Sequence, residues 1–301
     1  MSKKIECLGL ERGTAKQKAQ IIQELRQTYP IGKLLQFAGI PRSTFYYYLH
    51  QSKQPSRYNR VKEEIQRIYT ENHGRYGYRR ITLALGKAGI AINHKTTLKL
   101  MRQMGLFCRV RMKRYNSYKG EVGNIAPNLL ERQFTAPAPN CKWITDVTEF
   151  KIDGKKLYLS PILDLYNREI VSYSISEHPD FAMISEMLSK AFQKLPDKAE
   201  NLILHSDQGW LYQIKPYQRI LQGKGISQSM SRKATCLDNA VAENFFGILK
   251  TELLYLQKFD SMEQFKAALI EYLDYYNNRR IKAKLNGLSP VEYRIQTVQV
   301  A

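Results

Sequence analysis

Apolar positions recur at helical spacing through the first hundred residues, then change to strand alternation. Residues 16–28 place Ile21, Ile22 and Leu25 on one face, and Tyr29-Pro30 ends the run. Residues 31–38 form a second helix with Leu34, Leu35 and Ala38 inward. Gly39-Ile40-Pro41 makes a turn, and Ser43 or Thr44 caps a third helix carrying Phe45, Tyr46, Tyr47, Tyr48 and Leu49. This spacing predicts a helix-turn-helix within residues 1–55, with Arg42, beside Lys33, Ser43 and His50, facing phosphate or a groove. The competing reading is a small packing module whose tyrosines are core. After a polar linker, residues 56–106 predict a second helical unit, again helix-turn-helix-like: helices over 58–72 and 78–87, and a third capped by Asn93 and running to Met104. The loop before the middle helix contains Arg75, Tyr76, Tyr78, Arg79 and Arg80, arginines interleaved with aromatics, a composition suited to phosphate contact and base stacking. Tyrosines packed beneath a Gly-rich turn explain the same residues without DNA.

Residues 107–140 lack either period. They hold a basic run with Arg111, Lys113 and Arg114, expected to order on DNA, and then a Pro- and Ala-rich stretch. From Cys141 the alternation is that of strands. Residues 143–150 and 155–164 flank an Asp153-Gly154 hairpin turn, and 169–176 follow an Asn167-Arg168 turn. A helix capped by Asp180, a strand at 202–205, a helix at 212–222 and a strand at 226–229 come next. The chain closes with the helix bearing Glu243 and another over 261–276. Three antiparallel strands followed by alternating helices and strands suit an α/β mixed sheet over residues 141–301.

Charge sharpens this division. The chain has 301 residues and a net charge of +20. Residues 1–140 hold 26 Lys and Arg against 8 Asp and Glu; the remainder holds 21 against 19. An excess so confined to one half points to a polyanionic partner, most simply double-stranded DNA. The four cysteines and five histidines show neither CxxC nor HxxxH spacing, so no zinc site or disulfide framework is expected. There is no Walker A motif, so nucleotide-triphosphate hydrolysis has no support in the sequence. With no signal sequence and no run of 18 apolar residues, the protein is expected in the cytoplasm, on the nucleoid, with no membrane partner.

Three carboxylates stand out. Asp146 lies in the middle of the 143–150 strand, against strand propensity. Asp207 ends the 202–205 strand beside Gly209, where active sites of mixed sheets lie. Glu243 shares one helix face with Asn239, Phe246 and Lys250, while Val241, Phe245, Ile248 and Leu249 form the apolar side. Asp238 or Asn239 is expected to cap that helix, and Lys250 to point away from its core. Three converging carboxylates suit two hard divalent cations and in-line phosphoryl transfer.

Trp143-x-Thr145-Asp146-x-Thr148, His205-Ser206-Asp207-Gln208-Gly209, and Asp238-Asn239-Ala240 with Glu243, Phe245, Phe246, Leu249 and Lys250 leave 35 residues between the last two acids. This set resembles the D,D(35)E transposases of bacterial insertion sequences, relatives of retroviral integrases. More narrowly, it resembles their second-frame (OrfB) polypeptides. Further matches run from Pro41-Arg42-Ser43 to Leu288-Ser289-Pro290. The resemblance implies a ribonuclease H-like catalytic core preceded by all-α helix-turn-helix units. It implies cleavage at element ends and transfer of the 3′-hydroxyl into target DNA. Asp146, Asp207 and Glu243 would hold two Mg²⁺ (or Mn²⁺) ions. Asn239 and Lys250 would touch DNA, and His205 and Gln208 would support the site. It further implies terminal repeats and target DNA as partners, a homo-oligomer on DNA and a first-frame fusion product. A ribonuclease H-like nuclease that does not join, and a non-catalytic DNA-binding derivative acting as repressor or accessory factor, stay open as alternatives.

Overall fold

The computed structural model describes residues 14–53, 58–110, 125–195, 199, 201–232 and 236–298. The chain divides into two compact units, residues 1–64 and 65–301.

In the first unit, α1 (Ala15–Leu25), α2 (Ile31–Ala38) and α3 (Arg42–Lys53) enclose Ala19, Ile22, Leu34, Leu35, Ala38 and Phe45. Thr14 starts α1 through a capping box: its hydroxyl accepts from the Gln17 amide and the Gln17 side chain accepts from the Thr14 amide. Gly39, at φ 64°, ends α2 in the left-handed region that glycine favours. The third helix begins at Arg42, so Ser43 and Thr44 lie inside its first turn instead of capping it. Phe45 alone of its aromatic run is fully buried; Tyr46 and Tyr47 are exposed, which removes the reading of those tyrosines as core.

α4 (Asn59–Glu71) spans the division between the units. In the second unit, α5 (Tyr78–Lys87) and α6 (His94–Gln103) pack through Ile81, Leu85, Leu100 and Met101. Asn93 caps α6, accepting from the Lys95 amide at 2.8 Å.

A six-stranded mixed sheet follows: β1 (Lys142–Thr145), β2 (Thr148–Ile152), β3 (Lys155–Asp164), β4 (Ile170–Ser176), β5 (Ile203–Ser206) and β6 (Ser227–Met230). The 143–150 strand expected from sequence is interrupted. Thr145 faces Ile162 and Thr148 faces Leu159, so β1 and β2 lie end to end along β3 without a change of register. The gap is Asp146-Val147, opposite Ser160-Pro161. Proline has no N–H to give the ladder, and the Val147 amide donates instead to Asp146 Oδ1 at 2.7 Å. Asp146 therefore sits at a strand end, which relieves the propensity conflict.

β5 and β6 join parallel to β1. α7 (Phe181–Phe192), capped by Asp180, packs Met183, Ile184, Met187 and Leu188 into a core with Trp143, Leu204, Tyr212, Tyr217 and Met230. The expected 212–222 helix is two pieces, α8 (Trp210–Gln213) and α9 (Lys215–Lys224), broken at Ile214, whose extended backbone precedes Pro216 in the first turn of α9. Then come α10 (Ala240–Leu249), a π-helical turn (Lys250–Leu254), α11 (Met262–Asn278) and α12 (Pro290–Val298).

Glu252, in the π turn, ties α5 to this C-terminal part. It is 2.6 Å from Arg280 Nη2 and 3.3 Å from Arg80 Nη1, and it accepts from Tyr272 OH at 2.9 Å. Burial alone would raise its carboxyl, but the arginines prevail and hold it low. Among the described residues no helix is long and apolar enough to cross a membrane.

Candidate active site and DNA-facing residues

β1 and β5 are neighbouring parallel strands with Ile144 paired to His205. Asp146 and Asp207 each lie two residues past that pair, so they leave the sheet side by side, at strand spacing of about 4.8 Å. Asp207 turns back to accept from the Gly209 amide at 2.9 Å. Burial raises the Asp207 carboxyl, against that hydrogen bond. Asp146 is raised well above the ordinary carboxylate value, first by burial and then by the charges of Asp207 and Glu243; the Val147 amide and Lys250 oppose the shift. Asp146 thus feels the charges of both other acids.

Asn239 brings the third acid in. Its Nδ2 donates to Asp146 Oδ2 at 2.9 Å, and Glu243 follows one turn later on α10. Neither Asp238 nor Asn239 caps α10 by its side chain, contrary to expectation. A 3₁₀ turn, Cys236–Asn239, leads into the helix. Asp238 is fully buried: Arg232 binds it through Nε at 2.9 Å and Nη2 at 3.1 Å, Arg132 Nε binds it at 2.9 Å, and Asn128 at 2.9 Å. The Arg232 hydrogen bonds above all hold its carboxyl far below the usual range. Sequence reasoning missed this clasp; the signal present was a second acid directly before Asn239.

The faces of α10 also differ in detail. Ala242, Phe245, Phe246 and Leu249 are buried, while Val241 and Ile248 are only half-buried. Lys250 is half-buried, not fully solvated. Its Nζ lies 5.8 Å from the Phe150 ring centre, and burial lowers its pKa against the pull of Asp146 and Glu149. It nonetheless shares the acidic side of the site.

His205 is fully buried beneath the strand ends, Nδ1 2.8 Å from Ser229 Oγ and Nε2 3.2 Å from Ser231 Oγ. Burial pulls its pKa down to about 4, so it is a neutral strut between β5 and β6. Gln208 donates to the Ser231 carbonyl at 2.9 Å.

The basic residues separate into two groups. Arg42 is exposed on α3, 5.8 Å from the Tyr46 ring centre, and Arg79 is exposed over Tyr78. Arg75 and Arg80, expected at DNA, are engaged inside the protein. Arg75 Nε donates to the Glu252 carbonyl at 3.0 Å with its guanidinium 4.9 Å from the Tyr275 ring centre, and Arg80 pairs with the Glu252 carboxylate. Arg111, Lys113 and Arg114 lie outside the described residues.

A hard divalent cation fits the donor chemistry of the acidic cluster. The donors are all oxygen, and Asn239 Oδ1 is buried beside Asp146 without a hydrogen-bond partner. Among the described residues no three acidic, His or Cys side chains converge closely enough to hold an ion as they stand. The hydrogen bonds from Val147 and Asn239 to Asp146 would have to adjust.

Residues 136–236 and 243–298 match the family described as integrase core domain, and residues 57–114 match the HTH-like domain. The InsK protein of insertion sequence element IS150 in Escherichia coli (strain K12) is 55% identical over 92% of this chain and 98% of its own length. The transposase for insertion sequence element IS904 of Lactococcus lactis subsp. lactis (strain IL1403) is 34% identical over 80% of this chain and 96% of its own. Among solved structures, the catalytic core domain of HTLV-2 integrase aligns at 20% identity with a TM-score of 0.42, covering 52% of this chain and 98% of that one. With its integrase core and its helix-turn-helix-like segment, the chain belongs to the DNA transposases of bacterial insertion sequences.

Proposed function

We propose that Asp146, Asp207 and Glu243 are the catalytic acids of this transposase and together hold two divalent cations, Mg²⁺ or Mn²⁺. The observation that carries this reading is the placement of Asp146 and Asp207 at one level on adjacent strands, with Asn239 tying the Glu243 helix to Asp146. Bound cations would neutralise the cluster, lower the pKa of an attacking hydroxyl and stabilise the departing oxygen. The protein's part is to fix geometry. β1 and β5 hold two acids, and α10 adds the third. Lys250 and Asn239 border the same space and are suited to gripping the phosphodiester backbone.

Two in-line displacements follow. Water attacks phosphorus at an element end, and the bond to the 3′ oxygen breaks, leaving a 3′-hydroxyl. That hydroxyl then attacks a target phosphodiester, forming one P–O bond as another breaks. Terminal repeats and target DNA are the substrates, and a homo-oligomer and a first-frame fusion product are the proposed assembly partners. Arg42 and Arg79, both exposed, are the better-placed DNA contacts of the helical segments.

Asp146→Asn, Asp207→Asn and Glu243→Gln should each abolish cleavage and joining of end-mimicking DNA while DNA binding persists. Joining at the wild-type rate by Glu243→Gln would sink the assignment. Metal-dependent cutting without joining by the wild-type chain would favour a plain nuclease.

A further inference from the structure

Two buried tyrosines follow Asp207 in the chain. Tyr212 is 1% exposed and Tyr217 0%, and neither phenol oxygen has a partner in hydrogen-bond geometry; the Thr145 hydroxyl, which lies near that of Tyr212, donates instead to the Pro161 carbonyl. Their rings meet edge to face at 5.4 Å between centres. Both residues follow Asp207 closely, on α8 and α9, and the turn between them and Asp207 fixes where Tyr212 stands. The Tyr212 amide donates to the Gly209 carbonyl at 3.0 Å. A methyl group placed on Gly209 would lie 2.9 Å from Asp207 Oδ1 and 3.4 Å from Tyr212 Cδ2. A single glycine therefore separates the ring from the carboxylate. The charges of Asp146 and Asp207 both bear on the Tyr212 phenol, and that of Asp207 on Tyr217.

Leaving a buried hydroxyl unsatisfied costs about 1–3 kcal/mol. Phenylalanine would fill either space without that cost. A hydroxyl retained there points to a second state of the molecule in which it is used. The carboxylates supply that state. Asp146 now accepts from Val147 and Asn239, and Asp207 from Gly209; a cation that draws one of these oxygens away from its present donor turns the carboxylate, and the turned oxygen takes another donor inside the site. Partners of this kind orient metal-binding side chains, and removing one typically weakens metal binding about 10–100-fold.

We propose that Tyr212 is a positioning residue for the acidic site. Its phenol O–H donates to an inward-turned carboxylate oxygen of the Asp146–Asp207 pair when a divalent cation is bound, and Tyr217 backs the ring. The inference rests on the metal-holding role given to the acidic cluster above. A phenol keeps its proton at neutral pH and is a donor there.

The test is Mn²⁺ titration of the full chain by calorimetry, with melting curves in the absence and presence of the ion. Tyr212→Phe should melt no lower than wild type without metal, because it removes only an unsatisfied oxygen. Its Mn²⁺ affinity should fall roughly 10-fold or more. Tyr217→Phe, which lacks the Asp146 influence, should lose less. Wild-type Mn²⁺ affinity in Tyr212→Phe would overturn the proposal, as would a melting temperature lowered equally with and without metal. Asp207→Asn separates this inference from the reading beneath it. If Asp207→Asn still binds Mn²⁺ as wild type, the acidic site itself is misassigned. If Asp207→Asn loses the ion and Tyr212→Phe does not, only the tyrosine's role fails.

Discussion

At the scale of single residues, the acidic cluster predicts its own pH dependence. The Asp146 carboxyl is raised by burial and by the charges of Asp207 and Glu243. The folded, metal-free chain therefore holds this proton more tightly than the unfolded chain, where an aspartate titrates near about 3.9. The stability linked to that proton is present at low pH and is lost as pH rises through the raised value. A divalent cation competes for the deprotonated form. The rise in melting temperature produced by Mn²⁺ should thus grow as pH rises from the ordinary aspartate range through the raised value; a rise independent of pH would contradict a buried carboxylate ligand. Lys250 gives a second prediction. Its ammonium lies over the Phe150 ring and feels the charge of Asp146, so Lys250→Ala removes a cation–π contact worth about 0.5–1 kcal/mol and, under the proposed mechanism, a charged contact to phosphate. A charge-assisted hydrogen bond contributes about 1.5–3 kcal/mol, so strand transfer should fall roughly 10–100-fold with folding retained. Unchanged joining at physiological salt would make Lys250 a packing residue only.

At the scale of elements, the strands and most of the helices are legible in the sequence because each carries a local signature, and the pairing of β1 with β5 sets Asp146 beside Asp207. Asp153-Gly154 marks the β2–β3 turn, and both residues take the positive φ that such a turn requires. Asn93 and Asp180 cap as expected, because each hydrogen bond joins residues two or three apart. Long-range partners decided what was missed. The lapse at Asp146-Val147 depends on Pro161, fourteen residues on and across the ladder, and no local pattern shows that pairing. The clasp on Asp238 joins Arg232, six residues before it, to Arg132, more than a hundred residues earlier in the chain, and only the first of these is near in sequence. Arg75 and Arg80 read as DNA contacts until Glu252 takes them, since composition cannot tell a basic loop facing phosphate from one facing a buried carboxylate. Glu252 also yields a prediction. Glu252 and Arg280 side chains are each only 3% exposed, and removing one member of such a buried pair costs about 3–5 kcal/mol. Glu252→Gln should lower the denaturant midpoint accordingly and loosen α5 together with α11. A midpoint within error of wild type would show that the network is dispensable.

At the scale of the whole molecule, positive charge and compact units do not share a boundary. The excess of Lys and Arg runs to about residue 140, whereas the compact division falls near residue 64, inside α4. The second helical segment therefore belongs structurally with the sheet, through Glu252, through Tyr76 donating to the Arg279 carbonyl, and through Lys87 at 2.8 Å from Glu292. Cutting the chain at residue 140 would strand a buried glutamate and its arginine, so fragment binding is a poor measure of where DNA contacts lie. Substitution in the intact chain is cleaner. Lys33 and Arg42 are both exposed in the first unit, where neither is needed for its apolar core. Each phosphate contact contributes about −0.9 to the slope of log affinity against log salt on duplex DNA. If both residues grip phosphate, Lys33→Ala with Arg42→Ala should flatten that slope by up to roughly 1.8 and weaken binding to any duplex to a similar degree. Arg79→Ala alone should flatten it by up to about 0.9, whereas Arg75→Ala should lower stability and leave the slope unchanged, because its guanidinium is already spent on Glu252 and Tyr275. A slope unmoved by the Lys33 and Arg42 pair would place the salt-dependent contacts elsewhere in the basic half. A slope flattened by Arg75→Ala would mean that the docked loop opens when DNA binds.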